Sequence, residues 1–214
     1  MTTQSMAKPI SARRTGGEDS AKRALLLDVA ARLMMEEGYA AVTSRRVATE
    51  AGLKAPLVHY YFRSMDDLFV ALIHRVAVSN KARQAEALAS PQPLRALWRL
   101  ASHPAAAAMT TEFAALANHR KEIRATIVEY AKEFRLQQLE AFEELARRRD
   151  PEIDAAELAA AVVTLTGIGR WLGMEHVMGI TTGHDLVRKY VEQLLRTYEP
   201  GETTRKKPTT RVAR

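Results

Sequence analysis

The sequence predicts an all-α protein, with an N-terminal three-helix domain followed by a larger helical domain. Three observations carry this reading. Apolar residues recur at i, i+3 and i+4 in one segment after another. Gly, Pro and short polar clusters interrupt the pattern at close intervals. No segment shows the strict alternation or the β-branched run of a strand. The 214 residues have room for one large or two small domains with a real core.

The elements follow in order. Residues 1–20 are polar and aperiodic and read as a flexible basic arm. A helix over 21–37 places Leu26, Val29, Ala30, Leu33 and Met34 on one face, and Gly38 stops it by entering the left-handed region. Thr43 caps the next helix through its hydroxyl; that helix buries Val47, Ala48 and Ala51 and ends at Gly52. A third helix spans 55–62, with Pro56 tolerated in its first turn, where the missing N–H has no helical partner. Ser64 with Asp67 resembles a shortened capping box and opens a long helix over 65–89, whose Leu68, Phe69, Leu72, Ile73 and Val76 face inward.

Ser90-Pro91-Gln92-Pro93 breaks that helix. Further helices are predicted over 94–102, 105–118 and 120–148, separated by His103-Pro104 and ended by Asp150-Pro151. Residues 155–178 are almost wholly apolar, so this helix is expected to be covered on more than one side. Thr182 with Asp185 is expected to cap a last helix over 183–198. The tail, 200–214, reads as basic and disordered.

Composition narrows the function. Nearly half of the residues are apolar and about a quarter charged, as in soluble globular proteins. There is no Cys, which excludes disulfides and thiolate metal sites. No uninterrupted apolar run reaches the roughly 18 residues of a membrane span, and the start lacks the apolar core of a secretory signal. A cytoplasmic protein without membrane contact is expected. The net charge of +7 is uneven. Residues 1–75 carry 11 Lys/Arg against 8 Asp/Glu, residues 76–198 carry 16 against 15, and residues 199–214 carry 5 against 2. The excess sits at the two ends, which suits an acidic partner there and not along the middle.

Enzyme chemistry finds no support. HExxH, a P-loop, Gly-x-Ser-x-Gly and a strand-borne GxGxxG are all absent. Glu36-Glu37 and Glu143-Glu144 are adjacent on helices, so their side chains diverge. No enzyme activity, cofactor or metal is expected.

The second and third helices, joined at Gly52, have the layout of a helix-turn-helix, whose second helix lies in the DNA major groove. Leu53, Val58, Tyr61 and Phe62 can form its buried side, leaving Lys54, Ala55, Leu57, His59 and Tyr60 outward. Arg45 and Arg46 stand at the start of the preceding helix, where free N–H groups favour phosphate.

These residues resemble the DNA-binding region of the tetracycline-repressor (TetR) family of bacterial regulators. The likeness runs through Ala30-Ala31-Arg32-Leu33, Gly38-Tyr39, Thr43, Val47-Ala48, Ala51-Gly52-Leu53, Pro56-Leu57-Val58-His59-Tyr60-Tyr61-Phe62 and Ser64 to Leu68. It implies that Thr43, Arg45, Lys54, His59 and Tyr61 approach phosphates, with Ser44 in the same set. It also implies that Ala55, Pro56, Leu57 and Tyr60 approach bases. The sequence departs from the family at Lys54, where Ser or Thr often caps the recognition helix, and at Met65, where Lys is frequent. Lys8, Arg13 and Arg14 of the arm either enter a minor groove or stand as solvated charge.

The resemblance assigns the remaining helices to effector binding and dimerisation. The expected domains are the arm 1–20, a DNA-binding domain 21–66, an effector-binding and dimerisation domain 67–199, and the tail 200–214. The helices at 155–178 and 183–198 carry more apolar surface than one core needs, so pairing with a second copy as a four-helix bundle is expected. Gly167 and Gly169 would permit close approach there. Trp98, Met109, Phe113, Tyr130, Phe134, Trp171 and Met174 are the expected lining of a pocket for a small apolar effector. The chain thus reads as a homodimeric regulator of a palindromic operator in double-stranded DNA, most simply a repressor. The alternative is an architectural DNA-binding protein without an effector.

Overall fold

The computed structural model describes residues 12–149 and 154–199. Among them are nine α-helices and one 3-10 turn, with no strand. The helices are α1 (Ala12–Glu37), α2 (Ser44–Glu50), α3 (Ala55–Tyr61), α4 (Met65–Leu88), α5 (Pro93–Ala101), α6 (Pro104–His119), α7 (Lys121–Arg149), α8 (Ala155–Val177) and α9 (His184–Tyr198). Each helix predicted from periodicity is present, with ends moved by a residue or two. The exception is α1, which begins at Ala12, inside the segment expected to be a flexible arm. Lys8, the side chains of Arg13 and Arg14, the Asp150-Pro151 break and the tail 200–214 lie outside the described residues.

The chain forms two compact units. The first takes the described residues up to Val76 together with Glu112–Thr126. It therefore runs on past residue 66, where the sequence placed the end of the DNA-binding domain. The reason is its core. Leu68, Phe69, Leu72 and Ile73 of α4 are as fully buried as Leu26, Leu33 and Met34 of α1. Leu116 and Ile123, distant in sequence, complete this interior.

The corner between α6 and α7 is fastened to this unit by polar contacts. The Tyr39 N–H donates to Glu112 Oε2 at 2.7 Å, which satisfies a donor left by the Gly38 turn. Arg120 pairs with Asp66, and its guanidinium lies 5.3 Å from the centre of the Phe69 ring, within reach of a cation on an aromatic face. The Tyr39 and His119 rings stack at 5.9 Å.

The second unit comprises Ala77–Thr111 and the described residues from Ile127 onward. Its core joins Ala87, Leu94, Leu97, Phe142, Leu158, Val162, Leu165, Val191 and Leu195. Helix α8 lies close on α5 and α6 because Gly169 and Gly173 remove side chains at the contacts. A Cβ at Gly169 would meet Ala101 Cβ at 3.1 Å, and one at Gly173 would meet Ala107 Cβ at 2.7 Å. Gly169 therefore serves packing within the protomer, not the approach of a second copy expected from the sequence; Gly167 faces open space.

Glu199 is buried, and its carboxylate accepts from Leu94 N–H at 2.7 Å and Arg95 N–H at 3.1 Å. It thus caps the start of α5, where Pro93 occupies the first turn and free N–H groups favour an anion.

Two expectations about the last helices change. Helix α9 is capped by Gly183 at φ +82, without a side-chain cap, instead of by Thr182 with Asp185. His184, buried against Glu175 Oε2 at 2.9 Å, starts the helix from the inside. Helix α8 buries one face only, through Leu158, Val162, Leu165 and Leu172. Val163, Trp171 and Val177 on its other side are exposed. By length and composition it also meets the limit for a membrane span, but Glu157, Arg170 and Glu175 interrupt it.

Candidate nucleic-acid interface

The interface is built from α2, the Gly52 turn and α3. Thr43, in extended conformation, accepts the Arg46 N–H on its Oγ1 at 3.3 Å and so starts α2. At the other end the Leu53 N–H reaches Ala48 O at 2.9 Å and the Gly52 N–H reaches Thr49 O at 3.0 Å. This pair of bonds is a Schellman ending, and it requires Gly52 at φ +65. A side chain there would meet nothing within 4 Å, so the demand is conformational and not steric. Lys54 then opens α3 without a side-chain cap, as its departure from the family pattern implied.

Burial sorts the faces of α3. Val58 and Phe62 are inside, and the Arg23 guanidinium lies 5.1 Å from the centre of the Phe62 ring. Lys54, Pro56, His59 and Tyr60 are exposed, while Ala55 and Leu57 are half-buried. Tyr60 keeps 71% of its surface exposed, although its ring meets that of Tyr61 edge-on at 5.0 Å. An aromatic ring left mostly exposed on a short helix contributes little to the fold by burial, so most of it is open to a partner.

Tyr61 is half-buried and differs from expectation. Its hydroxyl donates to Asp19 Oδ1 at 3.0 Å, and burial followed by this carboxylate raises its pKa. The expected phosphate contact must compete with that bond.

Ion pairing divides the cations. Arg46 Nη2 is bound to Glu37 at 2.6 Å, and Arg32 is shared between Glu50 at 2.7 Å and Glu36 at 3.1 Å. Arg32 holds the Glu50 carboxyl below its usual value. Arg45 and Lys54 are exposed and, among the described residues, have no ion-pair partner. Thr43 is exposed beside them and Ser44 half-buried. Arg63, just past α3, is likewise exposed and unpaired, and sequence reasoning passed over it. The signal was a cation immediately following the recognition helix.

This geometry of a braced second helix with an exposed basic and aromatic side agrees with comparisons to known proteins. The family described as "Bacterial regulatory proteins, tetR family" matches residues 26–72. The HTH-type transcriptional regulator BetI of Rhizobium meliloti (strain 1021) is 30% identical over 158 residues, covering 69% of this chain and 76% of that protein. The chain belongs to the TetR family.

Solved structures of TetR-type proteins share its fold. A TetR transcription regulator from Haloarcula marismortui superposes with a TM-score of 0.64 at 18% identity, over 84% of this chain and 97% of that one. A protein from Saccharomonospora viridis, described as a transcriptional regulator and solved with choline, gives 0.67 at 21% identity, over 83% and 96%. The all-α architecture of a helix-turn-helix domain followed by a helical domain is that of a TetR regulator, and the chain is a DNA-binding transcriptional regulator.

The residues expected to line an effector pocket are not all together. Phe113 is buried in the first unit, whereas Trp98, Met109, Tyr130, Phe134, Trp171 and Met174 belong to the second. Tyr130 and Phe134 touch, with ring centres 5.8 Å apart. Trp98 packs on the α5–α8 contact beside Gly169. Met109 and Met174 are half-buried. Trp171 is 58% exposed and lines an open groove of about 370 Å³ with Leu172, Gly183 and His184, away from Tyr130 and Phe134. Its outward position places it with Val163, Leu186 and Tyr190 among the exposed apolar groups of α8 and α9.

Proposed function

We propose that this TetR-family regulator is a cytoplasmic homodimer that represses transcription from a palindromic operator and releases it when a small molecule binds the helical domain. The observation that carries the DNA reading is the exposure of Lys54 at the start of α3 and of His59 and a largely exposed Tyr60 near its end. Phosphates are met by Thr43, Ser44, Arg45, Lys54 and His59, and by Tyr61 once its bond to Asp19 yields. Bases are met by Ala55, Pro56, Leu57 and Tyr60. Leu57 and Ala55 can touch thymine methyls but form no hydrogen bonds, so phosphate contacts supply much of the affinity.

Dimerisation is supported by the exposed Val163 and Trp171 of α8 and Leu186 and Tyr190 of α9. Helices covered on one face only, with large apolar groups on the other, are those expected to pair with a twin. The choline held by the Saccharomonospora viridis relative supports a small-molecule effector for a fold of this kind. Release then needs the ligand to favour a dimer whose recognition helices no longer meet successive major grooves. The helices α4, α6 and α7 each continue from one unit into the other and carry the change.

Selection of genomic fragments on the purified protein tests the reading. An enriched palindrome is expected. Tyr60→Ala should lose its footprint on that palindrome while sedimenting as the same dimer. An unchanged footprint rejects the assignment of α3 as the reading helix, and fragments enriched without symmetry favour an architectural protein.

A further inference from the structure

The end of the recognition helix is held by an acid of α1 that has no assigned part in DNA binding. Tyr61 is the last residue of α3, and its hydroxyl donates to Asp19 Oδ1 at 3.0 Å. One turn further along α1, the Arg23 guanidinium lies 5.1 Å from the centre of the Phe62 ring. Residues at i and i+4 share a helix face, so one side of α1 grips two successive residues where α3 ends. Asp19 is half-buried and, among the described residues, has no ion-pair partner. Its neighbour Lys22 is bound to Glu18 at 2.7 Å and acts on Tyr61 only through its charge, against the pull of Asp19. A carboxylate without a counter-charge has the wrong sign for a surface that meets phosphates.

The chemistry of this bond makes it more than a brace. A phenol has a single proton to donate, whereas a carboxylate and a phosphodiester at neutral pH only accept. Both acceptors are anionic, so each forms the stronger, charge-assisted kind of bond. Tyr61 can give its proton at full strength to Asp19 or to an operator phosphate, but not to both. Burial, and then the bond to Asp19, raises the Tyr61 pKa, so the phenol keeps its proton at neutral pH and remains a donor.

We propose that Asp19 is an internal competitor of the operator backbone: its carboxylate takes the Tyr61 proton that a phosphate would otherwise accept, and so holds operator affinity below what the α3 surface could reach. This rests on the reading of α3 as the DNA-facing helix and adds a residue that tunes affinity from outside the helix-turn-helix. The consequence is regulatory. Each protomer must break the Asp19 bond before Tyr61 can hold a phosphate, so the bound state is less favoured and an effector has less to overcome in releasing it.

Fluorescence anisotropy of the full-length protein on the selected palindrome, at fixed salt, tests this with Asp19→Ala, Asp19→Asn, Tyr61→Phe and the combination of Asp19→Ala with Tyr61→Phe. Asp19→Ala should raise operator affinity about tenfold or more, since neither half-site then has a charge-assisted bond to break. Asp19→Asn, which keeps the volume and loses the charge, should give part of that rise. With Tyr61→Phe there is no proton to contest, so in that background Asp19→Ala should raise affinity by about threefold or less. The thermal midpoint of Asp19→Ala should stay level or fall while affinity rises; a merely structural bond would lower both together.

Unchanged or lower affinity in Asp19→Ala overturns the competition. So does an equal rise with and without the Tyr61 hydroxyl, which would mean that Asp19 acts by repulsion alone. Tyr60→Ala separates this from the reading beneath it. If Tyr60→Ala loses its footprint while Asp19→Ala gains nothing, the α3 reading stands and only the competitor is wrong. If the full-length protein retains no duplex at low salt, both fail together.

Discussion

The salt dependence of operator binding can be worked from the ion pairs. Each protomer offers Arg45, Lys54 and Arg63 as exposed cations without an ion-pair partner among the described residues, so the proposed dimer would bring roughly six to the phosphates. At about 0.9 per neutralised phosphate, the slope of log K against log salt is about −5. Raising salt from about 50 to 200 mM then weakens binding about a thousand-fold. Arg45→Ala removes one contact from each half-site and should flatten the slope by about 1.8. Arg46 is the control. It is bound to Glu37 at 2.6 Å, and as a neutralised pair it releases few counterions. Arg46→Ala should lower affinity slightly through the freed Glu37 carboxylate while nearly keeping the slope. Fluorescence anisotropy over a salt series with the selected operator measures both. If the two variants flatten the slope equally, or the wild-type slope is near zero, the division into free and paired cations is wrong.

Three further outcomes concern stability. Glu199→Ala leaves the Leu94 and Arg95 N–H groups of α5 without their buried acceptor, and should cost about 2 kcal/mol in urea unfolding; an unchanged midpoint would deny the cap. Gly173→Ala puts a Cβ 2.7 Å from Ala107 Cβ, so α8 must move from α6, at about 1–3 kcal/mol by the same assay. On acidification, Glu50 and Glu192 matter because Arg32 and Arg95 hold their carboxyls below the ordinary 4.5. Their contribution is complete above that value and is lost as the pH falls through their lower folded values, so the urea midpoint should drop there, and less in Arg95→Met.

The sequence by itself determined what depends on neighbours along the chain. Helical periodicity, the Thr43 hydroxyl, Gly52 and Pro56 act within a few residues of their own position, and they set α2, the turn and α3 almost to the residue. The outward side of α3 was legible for the same reason, because one buried face fixes the other. Tertiary packing alone decided which distant groups meet. Glu112 closing the Gly38 turn, Asp19 engaging Tyr61 and Glu199 capping α5 each join residues far apart in sequence. No local pattern encodes such pairs, since their partners are chosen by how helices pack and not by spacing. The same limit applies to Trp171. Periodicity shows that a helix has apolar faces, but only the packed neighbours show that Gly169 lies against α5 while Trp171 lies outside.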